Sequence, residues 1–286
     1  MLDGYTVKHT IAVGEHSKAK LVQDRQGKYF CAKIMYYKNE SSKKYITNLL
    51  SNELKSFRVL TDSKTIQIVA ASFDGKYLTK KRTKKCVYLL SVLCIFGPLS
   101  NLISLHPNEG TCRYFFSKIL SAIDSIHNQG IVHLNIKLEN VLLDSNLNIK
   151  LCGFSLSSQL ENGKISRHSI YTAPEILAFK QFNGKKADIF ALGVLMFIFL
   201  CGSPPFFRAS YADTHYKMLQ TKKPAYWNMF SRVSDDFKDI IVGMLKDNPG
   251  ERYDLDMLKT HKWTKTEVLQ EDVETLRSKL LKSLDI

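Results

Sequence analysis

The sequence predicts an α+β fold of two lobes, a small antiparallel β-rich N-lobe followed by a larger helical C-lobe. Two observations carry this. Residues 1–92 hold short runs in which apolar and polar positions alternate, the period of strands with one buried face. After Pro98 the apolar positions recur at helical spacing over longer stretches. With 286 residues the chain exceeds a usual domain of roughly 100–200, which leaves room for one two-lobed unit or two domains.

In order along the chain, residues 5–13, 19–23, 29–35, 66–71 and 87–93 read as strands. One helix interrupts them over 44–60, where Leu50, Glu53, Leu54 and Phe57 fall at helical spacing. Further helices are predicted over 111–128, 185–201, 234–246 and 255–261, and residues 133–175 form a loop-and-strand region between the first two. The most apolar run, 189–201, is well short of the ~20 residues that span a bilayer, so a buried helix is expected there. In the tail, 264–286, Leu269, Val273, Leu276, Leu280 and Leu284 share one stripe. The tail either packs back or offers a partner-binding helix, and both readings stand. The expected organisation is therefore a domain over 1–263, with lobes at about 1–92 and 98–263, and the helical tail 264–286.

Hydrophobic content of 44% with 24% charged residues belongs to a globular chain. Six scattered cysteines with no C-x-x-C pair predict buried thiols in a reducing compartment and no metal site. Residues 1–10 lack the apolar core of a signal peptide, so a cytoplasmic protein is expected, with the nucleus left open. The formal charge of +14 could serve nucleic acid, an anionic membrane or an acidic protein. Its densest cluster, Lys80-Lys81-Arg82-Thr83-Lys84-Lys85, reads as an exposed hairpin tip. Without aromatic interleaving or zinc-finger spacing in the sequence, a solvated loop is the plainer reading, and neither nucleic acid nor membrane is expected as a partner.

A series of short motifs runs through nearly the whole chain. They are Cys31-Ala32-Lys33-Ile34 on the third strand, Glu53 on the first helix, and Ile131-Val132-His133-Leu134-Asn135-Ile136-Lys137-Leu138-Glu139-Asn140. Downstream come Leu151-Cys152-Gly153-Phe154, Ala173-Pro174-Glu175, Asp188 before Ala191-Leu192-Gly193, and Arg252 after Asn248-Pro249. Taken in this order they resemble the signatures of the protein kinases, and Gly202-Ser203-Pro204-Pro205-Phe206 is similar to calcium/calmodulin-dependent and related serine/threonine kinases. The resemblance implies a two-lobed protein-kinase fold. It puts Lys33 in place of the lysine that holds the ATP phosphates and Glu53 in place of its partner. Whether the two form a nucleotide-binding pair or an ion pair that braces the lobe stays open, with bracing favoured. Ala19, Ala32 and Leu142 match positions that sandwich adenine, Gly14 is the one glycine kept in the phosphate-covering loop, and Lys137 and Asn140 are kept in the catalytic loop. His133, Phe154, Phe57 and Asp188 match the internal stacking spine and its anchor.

The departures from the family pattern point to lost catalysis. Asn135 stands where an aspartate would accept the substrate hydroxyl's proton, and an amide is no base. Gly153 stands where an aspartate would bind Mg²⁺, and glycine has no side-chain oxygen. Ala12 and Ser17 replace two loop glycines, Leu134 replaces the arginine that reads a phosphorylated loop, and His168 falls near the position of a threonine that contacts the catalytic loop. The expectation is a pseudokinase, a scaffold or allosteric regulator of a protein partner, with an active kinase among the candidates. ATP would bind weakly or without Mg²⁺. The alternative is a weak or atypical serine/threonine kinase that recruits another carboxylate to the metal.

Overall fold

In a computed structural model, which describes residues 1–14, 17–79, 82–159, 169–178, 181–230 and 232–283, an antiparallel sheet leads into a helical lobe. The sheet holds β1 (Thr6–Val13), β2 (Lys18–Gln23), β3 (Tyr29–Tyr36), β4 (Ile68–Leu78) and β5 (Thr83–Val92) in the order β1-β2-β3-β5-β4. Between β3 and β4 runs α1 (Glu40–Val59). Its start is set by a capping box: Ser42 N donates to Asn39 Oδ1 (2.9 Å), and Asn39 N donates to Ser42 Oγ (3.1 Å). One face of α1, carrying Ile46 and Leu50, packs on Met35, Val87 and Leu89.

Alternation along the strands gives the sheet two chemically different faces. Cross-strand partners Ala19, Lys33 and Leu89 share the face toward α1, as do Met35 and Val87. The other face encloses Val22, Phe30, Ala32, Ile34, Cys86, Tyr88 and Leu90 together with Leu2. Leu2 is fully buried because residues 1–3, just before β1, bond to the far edge of β4. Leu78 N donates to Met1 O, and Asp3 N donates to Lys76 O. The sheet is thereby curled, with its first and last strands bridged.

β4 runs seven residues past its expected end. A bulge between Ser72 and Gly75 carries the strand on past residue 71. Gly75 suits the bulge because a Cβ there would lie 2.6 Å from the Tyr88 ring. The two strands therefore close at Thr79 and Arg82, where Thr79 N donates to Arg82 O (3.0 Å). Lys84 and Lys85, expected at the hairpin tip, lie on β5 opposite Tyr77 and Lys76. Lys80 and Lys81 fall outside the described residues.

β6 (Gly97–Pro98) leads into the second lobe, where α2 (Glu109–Asn128), β7 (Ile131–Val132), β8 (Val141–Leu143), β9 (Ile149–Leu151) and β10 (Ser158–Gln159) follow. After them come α3 (Pro174–Leu177), α4 (Gly184–Cys201), α5 (Thr214–Thr221), α6 (Lys223–Trp227) and α7 (Asp235–Met244). The chain ends in α8 (Leu255–Thr260), α9 (Lys262–Lys265) and α10 (Gln270–Ser283). α4 is apolar on all sides because it runs through the core. It is no membrane span: no helix among the described residues is long and apolar enough to cross one. The tail packs back onto the domain. Leu276 and Leu280 join the main core, and Asn108 Nδ2 donates to Asp272 Oδ1 (2.7 Å). Leu284 lies outside the described residues.

Candidate active site

The cleft between the lobes is roofed by the α1-facing side of the sheet. Lys33 Nζ reaches Glu53 Oε2 at 2.7 Å, joining β3 to α1 between residues twenty positions apart. The pair is asymmetric: Glu53 is 3% exposed and Lys33 31%. A carboxylate so buried needs its partner. Ala19 shares this face as the cross-strand partner of Lys33. Ala32 does not. It points to the opposite face, fully buried among Val22, Phe30 and Leu90, so the adenine contact expected of it is corrected. Side chains two apart share a face, and the residue beside Lys33 on the cleft side is Cys31. Burial raises the Cys31 thiol to about 11 against the pull of Lys33, and raises Cys94 and Cys152 to about 12. The thiols of the cleft are neutral and poorly nucleophilic. Below, half-buried Leu142 sits on β8, paired with Pro98 and Lys150. Gly14 closes the β1–β2 turn, its N–H donating to Ser17 O at 2.8 Å.

The loop after β7 is fixed from beneath by Asp188 of α4. This fully buried carboxylate accepts from His133 N (2.8 Å) and Leu134 N (2.7 Å) and meets His127 Nε2 (2.9 Å). The paired amides hold Leu134 in the left-handed region, φ +59°. His133 Nδ1 accepts from Asn135 N (3.2 Å), so its Nε2 carries the proton and donates to Cys152 O (3.1 Å). Burial lowers the pKa of this imidazole, and its ring stacks on Phe154, which meets Phe57 of α1.

Asn135, Asn140 and Gly153 come together at the centre. Asn135 Nδ2 donates to Gly153 O (2.9 Å), and Asn140 Nδ2 donates to Asn135 O (2.8 Å). Gly153 has φ +83°, and a Cβ built on it would lie 2.7 Å from Asn140 Cγ. The Asn140 amide thus fills the space where a side chain at 153 would begin. Magnesium demands near-octahedral hard oxygen ligands. These three residues offer neutral amide and carbonyl oxygens and no carboxylate, a donor set that does not fit it. No group of three or more His, Cys, Asp or Glu stands ready to hold a metal among the described residues. Half-buried Lys137 lines, with Asn135, Ser155, Tyr171 and Thr172, a cavity of about 360 Å³ in front of α3.

Three further polar residues tie α1 to this centre, and none was singled out from the sequence. Asn52 Nδ2 donates to Ser155 O (3.1 Å) and Ser157 O (2.9 Å), and the Ser56 and Ser157 hydroxyls lie 2.6 Å apart. The i, i+4 spacing of Asn52 and Ser56 beside Glu53 and Phe57 was the available signal. Farther out, Arg252 clasps Glu175 with two bonds of 2.9 and 3.0 Å and donates to the Lys186, Lys246 and Asp247 carbonyls. His168 lies outside the described residues.

Comparison with known proteins agrees with this geometry. The family described as "Protein kinase domain" matches residues 5–264. Serine/threonine protein kinase OSK3 of rice, Oryza sativa, is 25% identical over 268 residues, which are 92% of this chain and 50% of that protein. Serine/threonine-protein kinase kin-29 of Caenorhabditis elegans is 31% identical over 83% of this chain and 30% of its own length. Serine/threonine-protein kinase SIK1 of mouse is 26% identical over 94% of this chain and 34% of its own length. The chain thus spans half the length or less of these relatives.

Proposed function

This chain belongs to the protein kinase family, and within it we propose a pseudokinase, a kinase fold that regulates a protein partner by shape rather than by phosphate transfer. One observation carries the reading: the position of the metal-binding aspartate is Gly153, and the Asn140 amide fills the space its side chain would need. Phosphoryl transfer leans on positioning and on charge neutralisation by metal. Each ~1.4 kcal/mol of lost metal stabilisation costs tenfold in rate. Replacing the general base by Asn135 removes a further factor of about 10²–10⁴. The amide can still orient a hydroxyl, but it is already engaged with Gly153 O.

What is kept is architecture. Lys33–Glu53, the Asp188 anchor and the Arg252–Glu175 clasp hold both lobes in a defined surface that a partner, such as an active kinase, can read. Nucleotide, where it binds, does so through Lys33 without Mg²⁺. The closed Lys33–Glu53 pair, together with relatives named as serine/threonine kinases, favours the second reading of a weak kinase.

The two readings separate in a phosphotransfer assay with Mg-ATP and a serine/threonine peptide, comparing the natural chain with Asn135→Asp/Gly153→Asp. The pseudokinase reading expects no transfer by the natural chain. It fails if the natural chain transfers phosphate at a rate the double variant does not exceed. A thermal-shift titration of the unaltered chain needs no variant to fold: stabilisation by ATP that appears only with Mg²⁺ supports the weak kinase.

A further inference from the structure

The positive charge is not spread evenly. Residues 1–92 hold 18 of the 41 Lys and Arg but 7 of the 27 Asp and Glu, so the N-lobe carries +11 of the +14. Much of it gathers on the outer half of the β4–β5 ribbon and, across the curl of the sheet, on β2, whose Lys20 reaches the Tyr77 ring of β4. Lys76 and Lys85 are direct cross-strand partners, both exposed, on one face of the ribbon. Like charges placed so oppose pairing of the strands. Of the nearby carboxylates, Asp3 lies beside the pair and accepts from Lys76 N through Oδ1, while Asp74 is engaged elsewhere, with Tyr37 and Lys43.

On the other face, cations and rings interleave. Lys84 Nζ lies 5.4 Å from the Tyr36 ring centre, Tyr36 is 5.8 Å from Tyr77, and Lys20 Nζ lies 5.5 Å from Tyr77. This is the aromatic interleaving that the linear sequence lacks, assembled from β2, β3, β4 and β5. The rings support lysine stems without neutralising them.

We infer that the outer end of the N-lobe sheet, built on Lys20, Lys76, Lys84 and Lys85 with Tyr36 and Tyr77, binds the phosphate backbone of a nucleic acid. Folding alone does not account for a like-charged pair kept opposite one another, whereas a polyanion laid along the ribbon turns its repulsion into attraction. Lysines on both faces of the ribbon suit a backbone wrapping around it better than a flat membrane touching one side. The inference stands apart from whether phosphate transfer is retained.

The test is fluorescence anisotropy with labelled 20-nucleotide RNA and a 20-base-pair DNA duplex of unrelated sequence, between 50 and 200 mM KCl. Binding of either probe is expected, with log K falling linearly in log salt, each phosphate contact adding about 0.7–0.9 to the slope. Lys85→Glu should flatten the slope by about 1 and weaken binding roughly tenfold at 100 mM. The same variant should melt at a higher temperature, because Lys76 gains an opposite charge across the strand. Misfolding cannot produce that pair of results. Lys279→Glu, an exposed change of equal charge on α10, should leave binding unaltered. No binding of either probe at 50 mM, equal losses in Lys85→Glu and Lys279→Glu, or binding only to vesicles with 30% phosphatidylserine would each overturn the inference.

Discussion

The Asn140 side chain stands against Gly153 so closely that a Cβ at residue 153 would lie 2.7 Å from the Asn140 amide carbon and nitrogen. The contact is possible because residue 153 lacks a Cβ and tolerates φ +83°. Gly153→Ala should therefore lose about 1–2 kcal/mol from its backbone alone, and more from crowding on Asn140. Urea denaturation of Gly153→Ala, Asn140→Ala and the double variant measures this. The crowding part should vanish in the double, giving a coupling of about 0.5–3 kcal/mol; additive losses would mean that the two do not touch.

The Arg252–Glu175 clasp joins residues 77 apart and is almost dry. Breaking a buried pair strands the remaining charge, at a cost of about 3–5 kcal/mol. Arg252→Ala should be the more damaging single change, since three backbone carbonyls also lose their donor. Glu175→Gln keeps the shape and should cost less. Equal losses in denaturant midpoint would mean that the carbonyl contacts contribute nothing.

The lobes were legible in the sequence because strand and helix periods are local properties. Lys33, Glu53, Glu175 and Arg252 were legible only through resemblance, since nothing local links residues twenty or 77 positions apart. Ala32 shows how narrow the margin is: an offset of one residue on a strand moves a side chain to the other face, and Cys31 takes its place in the cleft. The passage of β4 through Phe73-Asp74-Gly75 was hidden because a bulge breaks the two-residue alternation by which a strand is read. The meeting of Asn140 with Gly153 depends on a backbone angle that composition does not announce.

Docking of the tail sets a further expectation. Leu276 and Leu280 are each 4% exposed in the main core. Leu276→Ala should destabilise the whole domain by about 2–4 kcal/mol in a single cooperative transition. A loss confined to the helical signal of α10, with the main transition unmoved, would show that the tail is only loosely held.

His133 gives a pH dependence with a definite sign. Its folded pKa is lowered by burial, so the unfolded chain binds a proton more readily. Stability is then fully present above the unfolded value of about 6.5 and is lost as pH falls through the folded one. Between pH 7.5 and 5.5 the natural chain should lose more stability than His133→Phe, by at most about 1.4 kcal/mol for each unit below 6.5. Parallel pH profiles would place the dependence on other groups.

Lys33 is where bracing and binding can be told apart. If it mainly serves Glu53, Lys33→Met leaves a carboxylate 3% exposed without its cation, and the domain loses stability even with no nucleotide present. Because Lys33 is itself 31% exposed and partly solvated, that loss should be about 1–3 kcal/mol, below that of a fully buried pair. If Lys33 also holds phosphate, ATP stabilises the natural chain by about 2.7 kcal/mol at a hundredfold excess over Kd, and that increment disappears in Lys33→Met. Glu53→Gln discriminates further, since it removes the ion pair but leaves the cation for the nucleotide. The expected pattern is a destabilised Lys33→Met with no ATP shift beside a destabilised Glu53→Gln that keeps whatever shift the natural chain has. An unchanged melting temperature in Lys33→Met would remove the bracing role, because Glu53 would then have found its stabilisation elsewhere.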